Sequence, residues 1–228
     1  MRKILIACEE SQTITEIFRS QGFECWSCDI KPSSGTLPKY HIQGCAIKEA
    51  YSGKYDLMIA HPPCTYLAVS GSGHLYHRDM YGNRTPNIER FNEQKKAIKF
   101  FCSLLNAPIR HIAIENPVSV ISSHVRRPDQ IIQPYYFGDS FQKTTCLWLK
   151  NLPPLEFTNI VSPGEFHFVT RKDGRKEKRA SWMDKRLRKD VNSQCMKSYR
   201  SKTFIGIAKA MVSQWGNYRT YQIPLFEV

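Results

Sequence analysis

No stretch of this 228-residue chain comes near the roughly 20 uninterrupted apolar residues that a membrane-spanning helix needs. Its opening, Met1-Arg2-Lys3-Ile4-Leu5-Ile6-Ala7-Cys8, offers only five apolar residues before Glu9 and Glu10. That is too short for a secretory leader and is expected to form a first buried strand instead. A disulfide framework is also missing. The eight cysteines (8, 25, 28, 45, 64, 102, 146, 195) are scattered over a full-sized chain with no export signal, and free thiols are expected. Acids are scarce, at 20 Asp plus Glu against 33 Lys plus Arg, a formal net charge of +13. The surplus favours a polyanionic partner, nucleic acid first. There is no internal repeat and no clean linker. An apolar share of 41% with 12% aromatics is enough for a core and excludes a disordered chain. The expectation is one soluble, intracellular domain over 1–228.

The pattern that is present alternates strands with helices. Lys3 to Cys8 reads as a strand buried on both faces, followed by a helix capped by Ser11, with Ile14, Ile17 and Phe18 on one side and a stop at Gly22. Further strands are predicted over Phe23 to Cys28, Tyr40 to Gly44, Tyr55 to Ala60 and His111 to Ile114. A helix is predicted over Asn87 to Leu105, after a long polar loop from Thr65 to about Pro86. Gln130 to Phe137 and Thr144 to Leu149 read as strands added antiparallel, and Ser201 to Trp215 as a closing helix. Such alternation predicts an open α/β sheet, mainly parallel with an antiparallel addition. Ligands of such sheets sit at the carboxyl ends of the strands. Here those ends carry Cys8-Glu9-Glu10, Asp29, His61-Pro62-Pro63-Cys64 and Glu115-Asn116-Pro117.

Two of these residues fit one chemistry. Cys64 follows two prolines at a strand exit, a stiff presentation for a thiol nucleophile. Taken singly, it also reads as one more small apolar residue under a loop. Glu115 ends an apolar strand, where an unpartnered carboxylate is costly, so it reads as an acid of the site or as a cap for nearby amides. Together they suit alkylation of carbon 5 of cytosine. A thiolate adds to carbon 6, an acid protonates nitrogen 3, and the proton on carbon 5 leaves after transfer. The two groups are expected to face each other across a flipped base.

With these residues in view, the chain resembles the DNA (cytosine-5) methyltransferases, in particular a compact phage-type branch. The resemblance rests on Pro62-Pro63-Cys64, on Glu115-Asn116-Pro117 and on Ile4 to Gly22 followed by Asp29. It also rests on Gln142-Lys143 before Leu147-Trp148-Leu149 and on Lys202 to Ala208. It implies a Rossmann-like fold that binds S-adenosylmethionine, with Cys64 as nucleophile, Glu115 as nitrogen-3 acid, and Pro63 and Asn116 beside them. Cofactor contacts are expected from Ala7, Cys8, Glu9, Glu10, Asp29, Ile30, Gly44, Cys45, His61 and Pro62, with Asp29 on the ribose hydroxyls. The family's glycine-rich first turn is replaced by Ala7-Cys8-Glu9-Glu10-Ser11-Gln12, and arginines of the Gln-Arg-Arg motif by Thr144 and Cys146.

No part of these 228 residues is expected to form the family's large target-recognition domain. Ten Lys or Arg and four acids between Arg171 and Asp190 form a basic insertion at about 160–200 that is expected to contact DNA in its place. The expected contacts are Gln142, Lys143, Lys172, Arg175, Arg179 and Arg186, with Phe168, Trp182 and Tyr199 interleaved and a hairpin turn at Lys172 to Arg175. A solvated charged face is the plainer reading of the run. Cys25-x-x-Cys28 lies inside a strand and reads as buried thiols; His74, His77 and Asp79 lie in a loop, and no metal is expected. Open alternatives are a bulkier donor such as carboxy-S-adenosylmethionine, a nucleotide substrate, and an inactive DNA-binding relative. An amino-group methyltransferase fits less well, because His61 and Cys64 occupy the two positions its Asp/Asn-Pro-Pro-aromatic loop needs. The expected location is the cytoplasm, that of a host cell if the protein is viral.

Overall fold

A computed structural model describes residues 2–171, 173–181 and 203–218. In chain order the elements are β1 (Lys3–Ala7), α1 (Thr13–Ser20), β2 (Glu24–Asp29), β3 (His41–Gln43), α2 (Ala46–Ala50), β4 (Leu57–Ala60), β5 (Tyr76–Arg78), β6 (Arg84–Pro86), α3 (Ile88–Leu105), β7 (His111–Pro117), α4 (Ile121–His124), β8 (Gln130–Ile132), β9 (Thr145–Lys150), β10 (Phe166–Thr170), β11 (Lys176–Ala180) and α5 (Ile205–Trp215).

Seven strands form one sheet in the order β3-β2-β1-β4-β7-β9-β8. The first five run parallel, and β9 runs antiparallel to both β7 and β8. This is the expected Rossmann-like fold, a mainly parallel sheet with an antiparallel addition. Side chains alternate between the faces, as the two-residue period of a strand requires. Ile4, Ile6, Leu57, Ile59, Leu147 and Leu149 face a core built with α1 and α5. Leu5, Ala7, Met58, Ala60, Ile112, Ile114 and Trp148 face a second core built with α2 and α3. A sheet covered on both faces explains why its strands read as unbroken apolar runs.

Several boundaries differ from the sequence reading. Ser11 does not cap α1; its hydroxyl lies 3.1 Å from that of Thr13. The cap is the buried Glu9 carboxylate, which accepts from the Ile14 and Thr15 amides at 2.6 and 3.3 Å and from the Thr15 hydroxyl at 2.7 Å. A carboxylate at a helix amino terminus gains from both the orphan amides and the helix dipole. Gly22, at φ +82°, does end that helix. β8 stops at Ile132 because Pro134, lacking an N–H, opens a 3-10 turn over Pro134–Tyr136. The polar loop folds partly into a 3-10 segment, Val69–Leu75, and the β5–β6 ribbon. α5 begins at Ile205 rather than Ser201, and Ser201 and Lys202 lie outside the described residues. Its far end is held by Arg2, whose guanidinium donates to the carbonyls of Trp215 and Tyr218 at 3.0 and 2.6 Å.

Among the described residues no helix is long and apolar enough to cross a membrane.

Candidate active site at the carboxyl edge of the sheet

The parallel register brings the chemically loaded strand ends together. Ala7 lies opposite both Cys28 and Ala60, and Ala60 lies opposite Ile114. The His61 amide donates to the Ala7 carbonyl at 2.9 Å, so the turn into Pro62-Pro63-Cys64 starts beside the turn out of β1. Glu115, Asn116 and Pro117 are still within β7, because β9 pairs with them as far as Thr145.

Hydrogen bonds then lock the two motifs to each other. The buried Asn116 side-chain amide, 1% exposed, donates to the Pro62 carbonyl at 2.9 Å. Val69 N donates to Val118 O at 3.1 Å, and Val120 N to Leu67 O at 2.9 Å. From α3, Arg90 and Gln94 donate to the carbonyls of Thr65 and Tyr66 at 3.2 and 3.0 Å. Cys64 is exposed at the head of this braced turn, where Leu67 N and Ala68 N close onto its own carbonyl at 3.0 and 2.9 Å.

The electrostatics give each group a distinct character. Burial would lift the Glu115 carboxyl, but the His61 hydrogen bond, the His61 charge and the Lys143 ammonium overcome it and hold the group below its ordinary range. Although the Cys64 residue is exposed, partial desolvation of its thiol pushes it up, followed by the Glu115 charge, with Lys143 opposing. At rest Cys64 is therefore a thiol and Glu115 a carboxylate. Burial lifts Cys8 and Cys28 to about 12, and burial with the Glu115 charge lifts Cys146 to about 11. Cys28 and Cys146 are buried packing residues, as is Cys25, whereas Cys8 is only half-buried in the turn after β1.

Two participants have other neighbours than the sequence implies. His61, expected near the cofactor, bonds through Nδ1 to Glu115 Oε2 at 3.1 Å. Lys143, expected on DNA, acts electrostatically on both Cys64 and Glu115 and stacks its ammonium 5.6 Å from the Phe204 ring of the α5 cap. Only the reversal of β9 in the sheet brings residue 143 here, and no local signal in the chain reports it. Asn116 Oδ1, Ser119 Oγ and His61 Nε2 are buried at this edge without a hydrogen-bond partner among the described residues. Few buried polar atoms stay unpaired in native folds, and a catalytic or ligand-binding role is one reason that they do.

The β1–α1 turn lacks glycine yet has left-handed backbone at Cys8 (φ 61°) and Gln12 (φ 58°). Conformations of this kind cost about 1 kcal/mol or more for a residue with a Cβ and cluster at ligand sites. Gln12 is held there by four hydrogen bonds, to Ser27, Ser33 and both backbone groups of Leu37. Beside it, Asp29 ends β2 with Oδ1 accepting from Lys31 N at 2.9 Å, and Ile30 stands 77% exposed. Gly44 donates to the Asp29 carbonyl at 2.8 Å and precedes the exposed Cys45. A strained turn, a carboxylate and a bare apolar side chain form a setting that fits a nucleoside-bearing cofactor, whereas Glu9 is committed to α1.

The expected DNA contacts divide. Gln142 and Lys143 lie just before β9. Arg175 pairs with Asp173 at 2.6 Å and Arg179 with Glu177 at 3.2 Å on the β10–β11 hairpin. Lys172, Trp182, Arg186 and Tyr199 lie outside the described residues. Asp79 is occupied in its own turn, accepting from Tyr81 N and from Asn83.

No family model and no curated protein matches this chain. Among solved structures it is similar to a protein described as a DNA modification methyltransferase encoded within an E. coli prophage, at 11% identity and a TM-score of 0.38, over 78% of this chain and 62% of that one. It is likewise similar to a Spodoptera frugiperda DNMT2 mutant, at 14% identity and a TM-score of 0.38, over 71% and 55% of the two chains. This chain spans less than two thirds of either protein.

Proposed function

We infer that the protein is a methyltransferase-type enzyme that alkylates carbon 5 of cytosine in DNA through a covalent Cys64 adduct. The observation that carries the reading is the junction of Cys64, Glu115, His61 and Lys143 at one edge of the sheet, with Asn116 tying the two motif turns together. S-adenosylmethionine or a modified form of it, held by the turn after β1 and by Asp29 and Ile30, would supply the electrophilic carbon.

The chain's own residues manage one proton and one nucleophile. The Cys64 thiol must lose its proton as sulfur bonds to carbon 6, while nitrogen 3 must gain one. The ionised Glu115 can accept a hydrogen bond from the exocyclic amine, take up the proton that the Cys64 thiol loses and pass it to nitrogen 3. As its negative charge is neutralised in that contact, the penalty it imposes on the Cys64 thiolate disappears. His61 donates to the carboxylate and holds its orientation. Lys143 favours both anions. When a base takes the proton from carbon 5, the carbon 5–carbon 6 double bond re-forms and the sulfur departs, and the proton on nitrogen 3 returns through Glu115 to the Cys64 sulfur. Flipping the base out of the duplex costs a few kcal/mol, which basic surface around the site would offset. In this reading the chain is one catalytic domain, and the basic hairpin region stands in for a target-recognition domain.

The test is intact-mass analysis with S-adenosylmethionine and a duplex containing 5-fluorocytosine, a base that cannot release a proton from carbon 5. A protein–DNA adduct carrying the transferred group, absent in Cys64→Ser, is the expected result, and its mass distinguishes a methyl from a bulkier group. Cofactor binding with no adduct on any duplex or nucleotide tried would overturn the role of Cys64.

A further inference from the structure

We propose that the β10–β11 ribbon grips duplex DNA with one face only, the face carrying Phe166, Phe168, Lys176 and Lys178. The DNA substrate is taken from the function above; which face meets it is argued from the register.

The pairing sets Phe166 opposite Ala180, Phe168 opposite Lys178 and Thr170 opposite Lys176. Directly paired residues point to the same side of a ladder, and residues two apart share a face. One face thus holds two aromatics and two lysines with no acid. His167 opposite Arg179 and Val169 opposite Glu177 make the other face. That second face is partly neutralised, for Glu177 is shared between Arg171 at 2.6 Å and Arg179 at 3.2 Å. At the tip Arg175 is taken by Asp173. Lys176 and Lys178 have no carboxylate partner among the described residues; the Lys178 ammonium instead sits 3.4 Å from the centre of the Phe166 ring.

The aromatics are not serving the core. Phe166 is 42% and Phe168 65% exposed, while Ala180 is the buried residue of the ribbon. Exposed aromatics beside lysines with no carboxylate partner among the described residues suit a polyanion with apolar edges. A two-stranded ribbon is of a size that enters a DNA groove, where lysines meet phosphates and apolar side chains meet base edges or wedge between base steps. Arg175 and Arg179, singled out by charge alone, are engaged by Asp173 and Glu177 within the hairpin, whereas Lys176 and Lys178 meet no carboxylate among the described residues.

The experiment measures binding of a fluorescent duplex by anisotropy between about 50 and 200 mM salt, with no donor present, so that turnover plays no part. Lys176→Gln/Lys178→Gln is expected to flatten the salt dependence by about two phosphate contacts, so that the loss of affinity across that range becomes about tenfold smaller. Phe166→Ser/Phe168→Ser is expected to weaken binding with the salt slope unchanged, and Arg171→Gln/Arg179→Gln to change the slope less than the lysine pair does. All six positions lie on an exposed ribbon, and thermal unfolding checks that each variant folds. An unaltered slope in the lysine variant, or a larger change in the arginine variant, overturns the proposal. So does tighter, lysine-dependent binding to phosphatidylserine vesicles than to duplex, which would assign the face to a membrane. A ribbon that fails this test while the Cys64 adduct still forms leaves the proposed chemistry standing, and the reverse outcome removes the chemistry but not the face.

Discussion

His61 Nδ1 lies 3.1 Å from Glu115 Oε2, with both side chains largely shielded, at 15% and 21% exposure. A carboxylate can only accept, so Nδ1 carries the hydrogen. This contact joins the residue before Pro62-Pro63-Cys64 to the acid of the neighbouring strand, and it opposes the burial that would otherwise protonate Glu115.

Removing that partner should therefore move Glu115 upward. In His61→Ala, burial acts with less opposition, and the Glu115 carboxyl is expected to titrate higher than in the parent protein. Carbon-13 NMR of labelled glutamate against pH reads this directly. A Glu115 midpoint unchanged by the substitution would refute the role given to His61.

The thiol should respond to the two charges beside it in opposite senses. Alkylation of Cys64 by iodoacetamide, followed by peptide mass spectrometry, is expected to be slow at neutral pH and to rise with a midpoint above the ordinary thiol value of 9.0. Glu115→Gln should shift that midpoint down and Lys143→Ala should shift it up. Coincident curves for the three proteins would show that neither charge reaches the sulfur.

Asn116 is expected to matter for stability before it matters for chemistry. Asn116→Ala leaves the buried Pro62 carbonyl without its donor, at a cost of about 1–3 kcal/mol. For a chain of this size that is a fall in Tm of roughly 2–4 °C per kcal/mol, measurable by calorimetry. A Tm within experimental error of the parent would mean the carbonyl is satisfied in another way.

His111 should make the fold sensitive to mild acid. It is buried, donates from Nδ1 to the Asn151 carbonyl at 2.6 Å, and has its pKa lowered chiefly by burial. The folded state thus binds fewer protons than the unfolded one. Its contribution is complete above the unfolded value of about 6.5 and is lost as pH falls below it. Urea unfolding at pH 7.5 and 5.5 should show a smaller difference in His111→Gln than in the parent protein.

The layered α/β architecture was legible because a strand covered on both faces has a signature of its own. Ile4-Leu5-Ile6-Ala7 and Leu57-Met58-Ile59-Ala60 are apolar without a break, and both faces are indeed buried. The α1 cap was not legible. Ser11 stands where a capping hydroxyl belongs, but the Glu9 carboxylate folds back from the strand end and satisfies more of the helix's free donors. The left-handed turn at Cys8 and Gln12 was hidden for a similar reason. Glycine normally marks such geometry, and here side-chain hydrogen bonds from Gln12 hold it.

By itself the sequence determined which groups the strand ends present, Cys64 after two prolines and Glu115 closing an apolar run, because the backbone order of a parallel sheet delivers successive strand ends to one edge. Tertiary structure decided what those groups feel. The reversal of β9 carries Lys143 to them, the β4–β7 pairing sets His61 against Glu115, and the hairpin register sorts arginines held by carboxylates from lysines that meet none among the described residues. Charge and burial act through space over a few ångströms, and residues 54 or 79 positions apart become neighbours only when the chain is folded.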